Sequence, residues 1–186
     1  MTDLPALFPA EPGEAAAPRT GYHVGRAGFG TWAAVYTRTP AADARYLAFQ
    51  AWKQDPDGQG DFLDSAAAAI VAVIRAWSPV IPSDWTVTAP PQGASEGGIY
   101  PAGMLAREVA TRLDLDFQTT LQRAKAKRWH HPAESLRQEP YTVTTAPPAV
   151  VIIVDDFISS GTTMRLSRQA LAAAGVVSFA FAWGAD

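Results

Sequence analysis

The residues best suited to chemistry are two adjacent carboxylates, Asp155 and Asp156, and the hydroxyl-rich segment 159–163 that follows them. Ionised carboxylates only accept hydrogen bonds, so beside a phosphate they suit sugar hydroxyls or a divalent cation. Backbone N–H groups and hydroxyls at the start of a helix suit the phosphate itself. The segment therefore predicts a ribose-phosphate site; the alternative is an ordinary strand–loop–helix connection with solvated polar caps. Its phosphate-binding residues would be Ser159, Ser160, Gly161, Thr162 and Thr163.

An apolar, β-branched run at 149–154 immediately precedes the carboxylates. Such a run is typical of a central parallel strand that is buried on both faces. A helix is predicted after the polar segment, ending at Gly175, and another strand at 176–183. This order predicts a parallel sheet with crossover helices, which binds ligands at the carboxyl ends of its strands. The residues of the helix predicted to face inward are Leu166, Ala170, Leu171 and Ala174.

The first half of the chain supplies further helices and strands. Residues 62–77 carry apolar side chains at three- and four-residue spacing, which predicts a helix with one buried face. A weaker helix is predicted at 43–54. The pattern as a whole predicts an α/β fold with a small helical region at its N-terminal side. The remaining elements are a strand at 85–89, a helix that begins at Pro101 and a strand-like stretch at 117–121.

Composition limits the classes of protein that fit. A chain of 186 residues, 48% of them hydrophobic, supports one sizeable core. A net charge of -3 argues against a protein that coats duplex nucleic acid, and the absence of cysteine excludes disulfides and thiolate zinc sites. The longest apolar run, 66–74, is much shorter than the roughly 20 residues that span a membrane. We expect a cytoplasmic, non-membrane protein with a loose lead-in at 1–20 and one domain at 21–186.

Residues 150–163 closely resemble the loop that binds phosphoribosyl pyrophosphate (PRPP) in type I phosphoribosyltransferases. The resemblance implies that family's parallel-sheet core with crossover helices, here at about 84–186, and a small hood at about 21–80. It also implies that Asp155 and Asp156 act in catalysis by holding the ribose 2- and 3-hydroxyls. Magnesium would be bound nearby, by these carboxylates directly or through water, and 159–163 would wrap the 5-phosphate.

A second loop, at 89–94, follows the first predicted core strand, where this family binds pyrophosphate. The ComF subgroup continues with Arg-Gly-aromatic-Asn-Gln and then Leu-Leu-Ala. This chain has Gly-Gly-Ile-Tyr at 97–100 and Met-Leu-Ala at 104–106, without the Arg and Asn. The glycines fit pyrophosphate contact and plain turns equally well. The candidate PRPP contacts in this loop are Pro91, Gln92 and Gly93.

A basic segment lies between Asp116 and Glu134, a stretch with no acidic residue. A basic loop that closes over departing pyrophosphate would neutralise developing charge and exclude water. The resemblance places the family's flexible catalytic loop here, and the alternative is a solvated loop face. Its cations are Arg123, predicted to contact PRPP, and Lys125, Lys127 and Arg128, predicted to act in catalysis.

Two classes of function are consistent with these features. The first is an enzyme that moves the ribose 5-phosphate of PRPP to a nitrogenous acceptor and releases pyrophosphate. The second is a ComF-like PRPP-site protein without that activity, either a ligand-sensing regulator or a single-stranded DNA handler, for which Trp129 among basic residues would suit base stacking. We favour the enzyme, with PRPP and the acceptor as its partners. Either class allows a homodimer.

Overall fold

A computed structural model describes the sheet, its helices and several of the connections between them. The predicted lead-in at 1–20, Gly93 and the basic residues Lys125, Lys127 and Arg128 lie outside the described residues. The described ranges are 23–27, 30–37, 44–56, 60–92, 100–123, 141–143 and 146–186.

These ranges contain both helices and strands. The helices are α1 (Ala44–Gln54), α2 (Gly60–Trp77), α3 (Pro101–Leu113) and α4 (Thr162–Ala173). The strands are β1 (His23–Ala27), β2 (Gly30–Thr37), β3 (Thr86–Thr88), β4 (Asp116–Phe117), β5 (Leu121–Arg123), β6 (Tyr141–Val143), β7 (Val150–Ile158) and β8 (Val177–Ala185). No helix within the described ranges has the length and apolar character needed to cross a bilayer.

The main sheet has the strand order β1-β2-β8-β7-β3-β4. Strands β2, β8, β7, β3 and β4 run parallel, and β1 pairs with β2 as an antiparallel hairpin. The apolar strand β7 lies between β8 and β3, as expected for a strand buried on both faces. The predicted parallel α/β fold is confirmed, and the carboxyl ends of β3, β7 and β8 meet at one edge of the sheet. Strands β5 and β6 form a separate two-stranded sheet.

The core occupies both faces of the main sheet. On one face, α1, α2 and α3 cover Ile152 and Val154 of β7, and on the other α4 covers Val151 and Ile153. All four of these side chains are fully buried. Alternate residues of one strand thus anchor helices on opposite sides, which fixes the position of the polar residues that follow them in β7.

The helices predicted at 43–54 and 62–77 are confirmed as α1 and α2. Helix α3 begins at Pro101, whose fixed φ suits a first helical turn. The inward face predicted for α4 is partly wrong. Its buried residues are Met164, Ser167 and Leu171, whereas Leu166 and Ala170 are half-buried and Ala174 is exposed.

Three strand predictions also differ from the structure. Strand β7 continues to Ile158, so the acidic pair lies within the strand and not after it. The strand-like stretch at 117–121 is the junction between β4 and β5, which belong to different sheets. The hairpin of β1 and β2 was not predicted, and it extends the main sheet beyond β8.

Candidate active site

The acidic pair lies near the carboxyl end of β7. Asp155 is only 6% exposed, and its Oδ1 accepts a hydrogen bond from the N–H of Asp156 at 2.8 Å. The Oδ1 of Asp156 accepts one from the N–H of Phe157, also at 2.8 Å. These local bonds fix the direction of each carboxylate and leave the second oxygen of each for other partners.

The two carboxylates affect one another electrostatically. Burial raises the pKa of Asp155 well above its usual value, and the negative charge of Asp156 raises it further. The backbone hydrogen bond from Asp156 and the positive charge of Lys53 act in the opposite direction. An acidic group is therefore held in an environment that disfavours its charge, which is a common feature of functional sites.

The hydroxyl-rich segment joins β7 to α4 and lines a cleft. Gly161 occupies the N-cap position of α4 with φ of 69°, a left-handed conformation that favours glycine. The N–H of Thr162 donates to Ser160 Oγ at 3.4 Å. Because the N-cap residue is a glycine, it has no side chain that could accept a hydrogen bond from the first turn of α4. The cleft is open to solvent and is lined by Asp155 and by residues 157–164. The structure thus brings the first carboxylate and all five predicted phosphate-binding residues to one concave surface.

The predicted pyrophosphate loop begins where β3 ends, one strand away from β7. Pro91 and Gln92 are half-buried there, and the preceding Pro90 is buried. The hydroxyl of Tyr100 donates to the carbonyl of Pro90, so the start of α3 is tied to this loop. The register of Thr88 with Ile153 places the loop beside the strand that carries the acidic pair.

Tyr100 was not among the predicted site residues. Burial raises the pKa of its hydroxyl well above the usual value, and the charges of Asp155 and Asp156 raise it further, so Tyr100 stays a hydrogen-bond donor beside the acidic pair. Its ring occupies the space where a side chain at Gly103 would lie. The sequence held one signal for the contact between Tyr100 and Gly103. The two residues are three positions apart at the start of a predicted helix, and residues three apart share a helix face.

Lys53 of α1 also contacts the site. Its Nζ lies 2.9 Å from Asp156 Oδ2 and 5.1 Å from the centroid of the Phe49 ring, so it pairs with the carboxylate and stacks on an aromatic face. Phe49 and Lys53 are four residues apart on α1, which predicts a shared face but does not indicate what that face meets. Sequence reasoning therefore missed Lys53.

Of the predicted basic residues, Arg123 is the one that lies within the described ranges. Arg123 is exposed at the end of β5, paired in register with Tyr141 of β6. Within the described residues, no group of three or more metal-ligating side chains is present. The site is thus a pair of carboxylates, a hydroxyl-rich loop and a neighbouring loop at the edge of a parallel sheet. That architecture defines the class of α/β proteins that bind ligands at the carboxyl ends of their strands.

Residues 93–185 match the family model described as the phosphoribosyl transferase domain. The match covers half of the 186-residue chain and includes β7, the hydroxyl-rich segment and α4. The chain belongs to this family. No curated protein matches it significantly in sequence.

Solved structures of low sequence identity are similar to the chain. An adenine phosphoribosyltransferase is 18% identical, with a TM-score of 0.48 and 72% of each chain covered. The adenine phosphoribosyltransferase of Leishmania donovani is 15% identical, with a TM-score of 0.42 and coverage of 68% of this chain and 65% of that one. The adenine phosphoribosyl transferase of Trypanosoma brucei, in complex with AMP, pyrophosphate and ribose-5-phosphate, is 14% identical, with a TM-score of 0.41 and coverage of 72% and 66%.

Proposed function

We propose that this protein is an enzyme that transfers the ribose 5-phosphate of PRPP to a nitrogenous acceptor and releases pyrophosphate. The observation that carries the proposal is the single cleft shared by Asp155 and the residues 159–163, in a chain that belongs to the phosphoribosyl transferase family. Carboxylate acceptors for hydroxyls and N–H donors for a phosphate lie together there, as a sugar phosphate requires.

The 5-phosphate would bind at the start of α4. Glycine at the N-cap position leaves the approach to the first-turn N–H groups free of a side chain, and the helix dipole favours an anion there. The hydroxyls of Ser159, Ser160, Thr162 and Thr163 would complete the contacts. Asp155 and Asp156 would accept hydrogen bonds from the ribose 2- and 3-hydroxyls.

Magnesium fits the donor set of this site. It prefers six oxygen ligands, keeps several waters and is commonly bound by one or two carboxylates plus substrate phosphates. The pair Asp155 and Asp156 supplies hard oxygen donors of this kind. The described residues contain no cluster of three or more metal-ligating side chains, but magnesium bound in this way does not require one. When bound, magnesium would offset the negative charge of the pyrophosphate group.

The pyrophosphate end would lie toward the loop after β3. Pro91, Gln92 and Gly93 are the proposed contacts, and the Tyr100 hydrogen bond to Pro90 would hold the loop in place. Arg123 is the further proposed PRPP contact. Lys125, Lys127 and Arg128 would stabilise the charge that develops on the leaving pyrophosphate.

In the proposed reaction the bond between ribose C1 and the pyrophosphate oxygen breaks, and pyrophosphate leaves with the electron pair. The acceptor nitrogen forms the new bond to C1 and loses its proton if it carries one. The chain's own residues hold the sugar, fix its orientation and exclude water, which together account for much of the rate gained in such transfers.

We further propose that the chain is ComF-like and cytoplasmic, with a hood-like part at about 21–80 and a core at about 84–186. Because β1 and β2 of the first part pair into the main sheet, the element that would cover the site is α1. The contact of α1 with the end of β7 supports this division, because Lys53 and Phe49 approach the acidic pair from the N-terminal side. A hood in this position would cover the acceptor.

The test is a panel of nucleobases incubated with PRPP and magnesium, with pyrophosphate release as the readout. We expect release with at least one acceptor. In Asp156→Asn, PRPP affinity should fall roughly tenfold or more, since loss of a charge-assisted hydrogen bond costs about 1.5–3 kcal/mol. The matched control is Asp116→Asn, an exposed aspartate in β4, which should behave as wild type. PRPP binding without release from any base would favour the ligand-sensing reading, and equal PRPP affinity in Asp156→Asn and wild type would remove the proposed role of the acidic pair.

A further inference from the structure

The second oxygen of Asp156 is already in contact with a cation from another part of the fold. Its Oδ1 accepts the Phe157 N–H, and its Oδ2 lies 2.9 Å from Lys53 Nζ. Both oxygens therefore have protein partners, one from the strand and one from α1. The side chain of Asp156 is 13% exposed and that of Lys53 is 39% exposed, so the pair lies at the surface of the site and not in the core.

The position of Lys53 is set by aromatic packing. The ring of Phe49, one turn before it on α1, stacks on Phe157 with centroids 5.6 Å apart and on Trp183 at 5.0 Å. Phe157 follows Asp156 directly in β7, so the same few residues of the strand receive both the ring and the ammonium group from α1. The ammonium group of Lys53 also lies over the Phe49 ring, so this packing restricts its position.

On the basis of the proposed function, we propose that Lys53 is a positioning residue for ribose binding. It holds the carboxylate of Asp156 in the orientation in which the remaining lone pairs of that carboxylate accept a sugar hydroxyl. A carboxylate oxygen has two lone pairs, so contact with Lys53 leaves an acceptor site on Oδ2. Through this ion pair, α1 becomes part of the site although it lies about 100 positions from the acidic pair in the sequence.

The competing interpretation is an ion pair without functional effect. Partly exposed pairs often contribute little to the free energy of folding. Such a pair would leave ligand binding unchanged when removed, or would weaken the binding of all anions alike through the lost positive charge. The two interpretations therefore differ in which ligand loses affinity.

The experiment compares ribose 5-phosphate with inorganic phosphate by calorimetric titration without added metal. The sugar ligand uses the acidic pair and the phosphate-binding segment, whereas inorganic phosphate uses only the segment. In Lys53→Met, affinity for ribose 5-phosphate should fall roughly fivefold, the change that about 1 kcal/mol produces. Affinity for inorganic phosphate should fall much less, and Lys53→Arg should restore most of the loss.

Arg107→Met is the matched control, because Arg107 also stacks on an aromatic ring, that of Phe117 at 5.3 Å, and Phe117 lies in β4, which β3 separates from the strand of the acidic pair. It should leave both affinities unchanged. Unaltered or tighter ribose 5-phosphate binding in Lys53→Met overturns the inference alone, and so do equal losses for both ligands. A wild-type protein that binds ribose 5-phosphate no better than inorganic phosphate overturns both the inference and the proposed ribose site.

Discussion

Gly161 has a left-handed backbone conformation and also lines the cleft. Its φ of 69° disfavours any residue with a Cβ, and under the proposed function a branched side chain there would occupy part of the cleft where the 5-phosphate would bind. We expect Gly161→Val to lower the free energy of unfolding by about 1–2 kcal/mol and to abolish PRPP binding. Calorimetric titration with PRPP and magnesium, together with thermal unfolding, measures both effects.

Gly175 provides the matched control for this prediction. Its φ of 76° carries the same backbone penalty, but a Cβ placed there meets no heavy atom within 4 Å beyond its chain neighbours, and Gly175 does not line the cleft. Gly175→Val should therefore lose stability to a similar degree and keep its affinity for PRPP. Equal losses of affinity in both variants would show that destabilisation, and not access to the cleft, explains the effect at Gly161.

Asp155 should reduce the stability of the folded protein at neutral pH. Because its pKa is raised in the folded state, ionising it costs free energy that the unfolded chain does not lose. This cost is absent below about pH 3, where the carboxyl is protonated in both states. The free-energy cost grows as the pH rises from the ordinary carboxyl pKa to the raised pKa of Asp155. Above the raised pKa the cost stays constant.

Asp155→Asn removes this cost and keeps an oxygen to accept the Asp156 N–H. We expect its Tm to exceed that of wild type at neutral pH by about 2–4 °C for each kcal/mol removed. The difference should shrink as the pH falls, which thermal unfolding over a pH series would measure. A Tm difference that stays constant over the whole series would contradict the prediction.

At the scale of elements, the start of α3 is fitted to Tyr100. A methyl group at Gly103 would overlap the Tyr100 ring, so the ring would have to move and its hydroxyl would leave the Pro90 carbonyl. Gly→Ala in a helix usually stabilises a protein by up to about 1 kcal/mol, whereas Gly103→Ala should destabilise this one and weaken PRPP binding.

A double substitution separates the steric cause from helix propensity. In Gly103→Ala combined with Tyr100→Leu, the overlap is relieved, so the loss of stability should be smaller than the sum of the two single losses. Chemical denaturation of the four proteins in this cycle measures the coupling. Simple additivity would count against the fit of ring and glycine.

The sequence predicts elements well where one short pattern determines them, and less well where a neighbour does. The apolar run of β7 and the hydroxyl-rich segment are local patterns, and both appear where they were expected. The buried face of α4 was misassigned because the direction in which a helix leaves a loop decides which side meets the sheet, and periodicity alone leaves that open. The β1–β2 hairpin was missed because its place depends on pairing with β8, far along the chain.

The candidate site follows the same rule. Asp155, Asp156 and the predicted phosphate-binding residues lie within one short segment, 155–163, so their types and order in the sequence predict them as one site. Lys53 and Tyr100 come from other elements, and only the packing of α1 and α3 against the sheet brings them to the acidic pair. The spacing of Tyr100 from Gly103 and of Lys53 from Phe49 predicts which residues share a helix face, but it does not indicate that either face meets the acidic pair.

At the scale of the whole molecule, charge separates the two classes of function. The chain has a net charge of -3, so its basic segment is a local feature within an acidic protein. We expect Lys125, Lys127 and Arg128 replaced together by alanine to reduce pyrophosphate release far more than PRPP binding. Single-turnover assays and titrations measure the two quantities separately.

Affinity for single-stranded DNA is the comparison that decides between the classes. It should be weak in wild type, because an acidic protein repels a polyanion overall. A strong, salt-dependent affinity that disappears in the triple variant, without turnover on any base, would support the DNA-handling alternative.

The place of β8 in the sheet has a consequence for how the protein folds. It pairs with β7 on one side and β2 on the other, and the pairing of Trp32 with Ala180 joins residues about 150 positions apart. Without β8 the β1–β2 hairpin has no strand to connect it to the rest of the main sheet. Contacts so distant in sequence slow the search for the native topology, so refolding should take milliseconds to seconds and not microseconds. The hairpin is expected to dock late, after β7 and β8 have paired.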